Sequence, residues 1–144
     1  MANEAVIIEL LGDGGEPTRF TVANAENVSA GSLMHLMDPR TVTKTQTDYG
    51  KAPNEFFAGV AAADKEAGDG ATSLTVYTRG IFDVTSSGDL AISAGNLVVI
   101  SGANLVAAAD DQTTINSGRI VGKALEDVAT GATEVFTVAI GVYN

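Results

Sequence analysis

The hydrophobic residues of the chain fall into short runs that either alternate with polar residues or consist largely of β-branched and aromatic residues. Residues 74–78 (LTVYT) alternate, and residues 135–140 (VFTVAI) form a continuous run, as half-buried strands do. Glycine-containing clusters, such as residues 68–70 and 101–104, separate these runs at short intervals. This spacing is typical of a sandwich or a barrel, so we expect a mainly β fold with a compact, sandwich-like or barrel-like body.

The second half of the chain repeats the first. Residues 28–33 (VSAGSL) match residues 92–97 (ISAGNL), and residues 59–80 match residues 122–141 in the order of their glycine, acidic and β-branched positions. Two copies are too few for an open solenoid, which needs about three or more repeats. We therefore predict that two tandem pseudo-repeats, residues 28–85 and 92–144, close on each other as one body that spans residues 28–144.

One segment of the first repeat has helical spacing instead. Phe56, Phe57 and Val60 could share one face of a helix over residues 54–66, with Asn54 as its N-cap. The matching residues around Gly122 favour a strand and a turn. We therefore expect at most one short helix in the body.

Residues 1–27, ahead of the repeats, are predicted to form an N-terminal arm that is extended or folded into a hairpin. Its two strand-like segments flank residues 12–15 (GDGG), and Asp-Gly between such segments is a strong hairpin signal. The same apolar segments would equally suit a strand that pairs with another chain. The sequence leaves both alternatives open.

Composition and charge narrow the range of partners. The 144 residues suffice for one domain, or two very small ones, and 18 acidic against 8 basic side chains give a net charge of −10. Because nucleic-acid binding depends on clustered Lys and Arg, which the chain lacks, we expect no nucleic-acid partner. No apolar run approaches the ~18 residues of a membrane span, and the first residues do not resemble a signal peptide, so we expect no membrane partner.

Residues with catalytic or metal-binding chemistry are few. The chain has no cysteine and a single histidine, His35, whose apolar surroundings fit a core or edge position better than a general base. Asp64, Glu66 and Asp69 are closely spaced but lack the ligand pattern of an EF-hand, which favours a solvated turn. We therefore predict that the protein is not an enzyme, needs no cofactor and has no catalytic, cofactor-binding or metal-binding residues.

Ordered segments along the chain resemble the head decoration, or capsid cement, proteins of tailed phages. The segments that carry the resemblance are residues 17–22 (PTRFTV), 28–33 (VSAGSL), 37–41 (MDPRT), 57–60 (FAGV), 67–70 (AGDG), 77–83 (YTRGIFD), 97–104 (LVVISGAN) and 120–126 (IVGKALE). The resemblance implies a structural virion protein, assembled in the host cytoplasm, that binds the capsid exterior and cements neighbouring subunits of the major capsid protein, commonly as a homotrimer. It also implies that the N-terminal arm contacts the shell. For this contact we select the apolar arm residues Val6, Ile7, Ile8, Leu10 and Phe20.

An alternative interpretation is a non-catalytic β-module of a head fibre or adhesin that binds carbohydrate or a host surface. Such modules present exposed aromatic side chains, and this chain offers Tyr49, Tyr77 and Tyr143 beside five Phe. All of these except Tyr49 lie in or near strand-like runs, which favours a structural role for them.

Overall fold

The computed structural model describes residues 3–9, 18–45, 56–109, 119–131 and 133–141. Within these ranges the chain forms strands and no helix, and hence no helix that is long and apolar enough to cross a membrane. The strands are β1 (Val6–Glu9), β2 (Thr18–Val22), β3 (Leu33–Asp38), β4 (Thr41–Lys44), β5 (Phe56–Ala61), β6 (Ser73–Tyr77), β7 (Gly80–Ser86), β8 (Leu97–Gly102), β9 (Leu105–Ala108), β10 (Ile120–Ala124) and β11 (Val135–Ile140). The mainly β fold class predicted from the hydrophobic pattern is confirmed.

Strands β2 to β11 form two closed barrels that follow each other along the chain. Barrel 1 has the strand order β2-β4-β3-β5-β6, and barrel 2 has the order β7-β9-β8-β10-β11. β2 pairs antiparallel with β6 and parallel with β4, and β7 in the same way pairs antiparallel with β11 and parallel with β9. The two barrels therefore share one topology. The prediction of a barrel-like body built from two pseudo-repeats is therefore confirmed.

Matching hydrogen bonds fix which residues of the two barrels correspond. The carboxylate of Asp64 accepts a bond from the backbone N–H of Ala30 at 2.7 Å, and that of Asp127 accepts one from Ala94 at 2.8 Å. Each carboxylate satisfies a backbone donor ahead of the second strand of its barrel, a role that Asp side chains commonly take in turns. These aspartates are thus structural residues of the repeat.

The barrels divide the chain at different points from the sequence repeats. β2 falls within the predicted arm, residues 1–27, but forms part of the wall of barrel 1. β7 falls at the end of the repeat over residues 28–85, but it is the first strand of barrel 2. The first strands of the two barrels have dissimilar sequences, so sequence similarity begins only after them. The division into an arm, residues 1–27, and a body, residues 28–144, as separately folding parts remains a prediction.

The described part of the segment with helical spacing, residues 56–66, contains strand β5 and not a helix. Where β5 pairs with β3 the register shifts between Phe57 and Gly59, which leaves Ala58 in a bulge. Because of this bulge, Phe57 and Val60 pack against the same hydrophobic core although they are three residues apart. That spacing imitates one face of a helix, and the described residues agree with the expectation of at most one short helix in the body.

Two hydrophobic cores hold the barrels together. The smaller core fills barrel 1 and consists of Val22, Val28, Met34, Val42, Ala61, Leu74 and Val76. The larger core fills barrel 2 and continues into barrel 1, since it includes Leu33 and Val60 of barrel 1 together with Ala5 ahead of β1. The two barrels and the start of the chain therefore share one packed junction.

Candidate functional site

β1 lies outside the barrel walls, across the junction of the two barrels. It pairs antiparallel with the first half of β7, with Val6 opposite Asp83. One residue ahead of β1, the backbone N–H of Ala5 donates a hydrogen bond to the carbonyl of Gly31 at 2.6 Å. Because β7 belongs to barrel 2 and Gly31 to barrel 1, β1 is held by both barrels.

The close approach of Ala5 to barrel 1 requires a glycine at position 31. Gly31 has φ +90°, and a Cβ there would collide with the carbonyl of Ala5 and the side chain of Glu4. Its counterpart in barrel 2, Gly95, has φ +94°, but apart from its chain neighbours no described residue lies within 4 Å of a Cβ placed there. Both glycines adopt the left-handed conformation that the repeat needs. Gly31 in addition leaves the space in which Ala5 and Glu4 pack.

β1 presents exposed apolar side chains next to a free strand edge. The exposed fractions are 57% for Val6, 43% for Ile7 and 54% for Ile8, and we call these three residues the arm patch. Ile8 lies in a bulge between Ile7 and Glu9 and has no partner on β7. β1 pairs with β7 alone among the described strands, so none of them occupies its second edge, which we call its free edge. An apolar strand with a free edge is a template for pairing with another chain.

The five arm residues selected from the sequence do not form one surface. Val6, Ile7 and Ile8 lie together in the arm patch, whereas Phe20 is half-buried on β2 and packs against the core of barrel 1. Leu10 lies outside the described residues, as does the glycine turn at residues 12–15. β1 and β2 pair with strands of different barrels and not with each other, so their described residues form no hairpin ladder. The shell contact of the arm residues remains a prediction.

A buried lysine, which the sequence did not reveal, organises the acidic turn of barrel 1. Lys65 is only 4% exposed. Its ammonium donates hydrogen bonds to the carbonyls of Asn24, Glu26 and Glu66 at 2.9–3.2 Å and to the carboxylate of Asp69 at 3.2 Å. The signal available in the sequence was the matching residue of the second repeat, Val128, since that position is buried in both barrels.

Two acidic residues of this turn, Asp64 and Asp69, accept structural hydrogen bonds. The backbone N–H of Ala71 donates to Asp69 Oδ1 at 2.8 Å, and this bond, together with the bond from Lys65, holds the pKa of the Asp69 carboxyl below its ordinary value. Asp64 accepts the backbone bond from Ala30 described above. Within the described ranges, no group of three or more His, Cys, Asp and Glu side chains is arranged to hold a metal ion.

His35 lies half-buried on β3, between Thr43 of β4 and Phe57 of β5. Burial lowers the pKa of its imidazole below the ordinary value of 6.5. Its Nδ1 has no hydrogen-bond partner among the described residues. A general base needs a partner that orients the ring, and the described surroundings of His35 offer none to this nitrogen.

Comparisons with known proteins point to phage heads. Residues 13–141 match the family model described as phage cement protein. No curated protein matches the chain significantly. Among solved structures, the chain is similar to the head fiber gp8.5 N base of bacteriophage phi29, with a TM-score of 0.50 and 18% sequence identity, over 87% of this chain and 92% of that chain. At this identity the likeness shows a shared fold.

Proposed function

Because this chain belongs to the phage cement protein family and is a structural protein of the phage capsid, we propose that it binds the outer surface of the shell and cements neighbouring subunits of the major capsid protein. The arm patch makes the contact with the shell, and the protein acts as a homotrimer. The single observation that carries the proposal is the exposed, apolar, free-edged strand β1 at the junction of the two barrels.

β1 suits a shell contact for two physical reasons. Its free edge offers backbone N–H and C=O groups to an extended segment of a capsid subunit, which gives affinity through main-chain hydrogen bonds. The side chains of Val6, Ile7 and Ile8 would lose exposed apolar area on contact, and such burial is worth at most ~1.5–3 kcal/mol for each side chain. A single contact of this size is modest, so firm cementing comes from many symmetric copies that act together on one shell.

β1 is also preorganised for binding. Ala5 is buried in the shared core, the Ala5–Gly31 hydrogen bond ties the strand to barrel 1, and the ladder with β7 ties it to barrel 2. A strand that is already ordered loses less conformational entropy on binding than a flexible arm does. The rigid double barrel therefore presents the arm patch in one orientation.

The experiment compares the binding of three proteins to expanded heads that lack the cement protein. The variant V6D/I8D places two charges in the arm patch, and V135D is the matched control because Val135 is 66% exposed on β11, a strand that does not pair with β1. We expect wild type and V135D to co-sediment with the heads and raise their thermal stability, and V6D/I8D to bind at least about tenfold more weakly, the factor for ~1.4 kcal/mol. Circular dichroism checks that all three are folded.

Two outcomes would count against the proposal separately. Unchanged binding by V6D/I8D would contradict the arm-mediated contact but not the cementing function. A wild-type protein that neither binds nor stabilises the heads would contradict the cementing function itself.

A second candidate function is the base of a head fibre, which the fold shared with the phi29 fiber base favours. This function keeps the shell contact and adds a distal fibre or a host-surface ligand. Tyr77, the tyrosine within the described ranges, is half-buried and lies tilted against Phe82 with ring centroids 6.1 Å apart, an arrangement that suits a core better than a sugar platform. A glycan array without hits would contradict carbohydrate binding. Virion images without density beyond the protein would contradict a role as the base of a fibre.

A further inference from the structure

The two barrels of the chain meet through unlike surfaces. The turn between β8 and β9, residues 102–104 of barrel 2, contacts the start of β3 and the end of β4 in barrel 1. Asn104 Oδ1 accepts a hydrogen bond from the backbone N–H of Leu33 at 2.9 Å, and the Asn104 N–H donates to Thr45 Oγ1 at 3.0 Å. Both bonds are buried. We call residues 102–104 the turn of barrel 2, and residues 31–33 with Thr45 the seat of barrel 1.

The corresponding turn of barrel 1 is uncovered. It consists of residues 38–40 between β3 and β4, all three exposed, whereas Gly102 and Asn104 of the barrel 2 turn are buried. Arg40 and Asn104 share a positive φ, +60° and +57°, whereas Gly102 has φ +155° and Asp38 has no positive φ. The turn of barrel 1 thus ends in the same backbone conformation as the covered turn of barrel 2, with nothing from the described part of the chain lying over it.

The corresponding seat of barrel 2 is also uncovered. It consists of residues 95–97 with Ala109, where Gly95 and Asn96 are exposed and Leu97 is half-buried. Residues 31–33 of the barrel 1 seat are all buried, Gly31 against the arm residues ahead of β1 and Leu33 against Asn104. The local backbone is again conserved. The N–H of Ala109 donates to the carbonyl of Leu97 at 2.9 Å, as the N–H of Thr45 donates to that of Leu33 at 3.1 Å.

We propose that the turn of barrel 1 docks on the seat of barrel 2 in a second copy of the chain, which repeats between copies the contact that joins the barrels within one copy. Because the turn of one copy binds the seat of the next, an open assembly always has one unoccupied turn and one unoccupied seat at its ends. It closes into a ring when the rotation between neighbouring copies permits. In a homotrimer, three such contacts would close the ring. The number of copies is the one part of the inference that rests on the proposed function.

Each uncovered surface carries a charged residue where its covered counterpart has an uncharged one. In the seat of barrel 2, Leu97 pairs with Lys123 of β10, where the seat of barrel 1 pairs Leu33 with the buried Val60. In the turn of barrel 1, the exposed Asp38 stands where the turn of barrel 2 has Gly102. Arg40 is exposed in the same turn, so docking of the second copy would bring a turn with one charge of each sign to the seat, and the attraction that we propose is between Asp38 and Lys123. A surface that is exposed in the free chain needs such polar groups, whereas the junction within the chain is always covered.

The contact between copies would lack both hydrogen bonds of the junction within the chain. Ala109 has no hydroxyl to replace Thr45 Oγ1, and Arg40 has no side-chain oxygen to replace Asn104 Oδ1. The double substitution R40N/A109T would supply both groups, and Asn is among the residues that best tolerate the positive φ of position 40. The structure thus predicts a variant that associates more tightly than the wild type.

The test is sedimentation equilibrium of the free, full-length protein. We expect reversible self-association of the wild type, weaker association of D38K and of K123E by several-fold each, and recovery in the double variant D38K/K123E, whose charges are exchanged. R40N/A109T is expected to associate about tenfold more tightly, the factor that two modest hydrogen bonds supply. A strictly monomeric R40N/A109T variant would overturn the inference, as would a wild-type oligomer that all four variants leave unchanged.

Head binding measured in parallel separates this inference from the proposed function. V6D/I8D alters the arm patch and is expected to associate as the wild type does. Loss of head binding with intact self-association would therefore contradict the shell contact alone, and the reverse result would contradict the contact between copies alone.

Discussion

Asn104 Oδ1 and the backbone N–H of Leu33 form a hydrogen bond of 2.9 Å between residues that are 71 positions apart in the sequence. The two residues are 2% and 1% exposed, so the bond is shielded from water. It joins barrel 2 to barrel 1 beside the larger hydrophobic core, which also holds Ala5 and thereby the start of β1. The bond therefore contributes to the orientation in which the double barrel presents the arm patch.

Removal of the Asn104 side chain tests the strength of this junction. Asn104→Gly keeps the positive φ but deprives the buried Leu33 N–H of this acceptor, so we expect the free energy of unfolding to fall by about 1–3 kcal/mol. Arg40→Gly, at the corresponding exposed turn of barrel 1, is the control and is expected to change it by no more than about 0.5 kcal/mol. Urea unfolding measures both, and equal losses would contradict a special role of Asn104.

The two corresponding glycines separate arm packing from backbone strain. Gly31→Ala and Gly95→Ala impose the same positive-φ penalty, about 1–2 kcal/mol. Only Gly31→Ala also drives a Cβ into Ala5 and Glu4, so we expect a larger loss of stability and faster hydrogen exchange of the Ala5 N–H. Indistinguishable stability and exchange in the two variants would show that the arm does not depend on Gly31.

Lys65 is expected to stabilise barrel 1 more than a surface lysine does. Lys65→Met leaves the carbonyls of Asn24, Glu26 and Glu66 without its ammonium, for an expected loss of about 2–3 kcal/mol in the free energy of unfolding. Lys44→Met is the matched control, because the bond of Lys44 Nζ to another described residue, the carbonyl of Asn27 at 3.0 Å, is exposed. Chemical denaturation compares the two, and a Lys65→Met variant as stable as Lys44→Met would contradict the structural role of Lys65.

His35 gives a pH dependence with a definite sign. Burial lowers its pKa in the folded state below the ordinary value of 6.5, so the unfolded chain takes up the proton first as the pH falls. The stability of the wild type relative to His35→Gln should therefore decrease on acidification through pH 6.5, down to the lowered pKa of the folded state. Nuclear magnetic resonance of this single histidine measures its pKa directly, and a value of 6.5 or above would contradict its burial.

Local features of this fold could be predicted from the sequence because they depend on neighbouring residues. Alternating strands such as β6 and the glycines of the repeat follow from the preferences of short segments. Residues 54–66 have the spacing of a helix for a related reason, since the bulge at Ala58 lets Phe57 and Val60 pack against the same core.

Long-range pairings could not be predicted in the same way. Nothing in residues 6–9 specifies β7 as their partner, because strand pairing depends on shape and register in the folded chain. The difference between Gly31 and Gly95 is likewise invisible in two matching segments, since it arises from the arm that packs on one barrel. Lys65 is an exception, because the sequence shows a charged residue at the position where the second repeat has the apolar Val128.

A reconstruction of an expanded head that carries this protein, obtained by electron cryomicroscopy at a resolution that traces the chain, tests the central claim most directly. The account predicts an extended segment of a major capsid subunit along the free edge of β1, with Val6, Ile7 and Ile8 buried against the shell. A reconstruction in which β1 faces solvent while another surface of the double barrel meets the shell would contradict it.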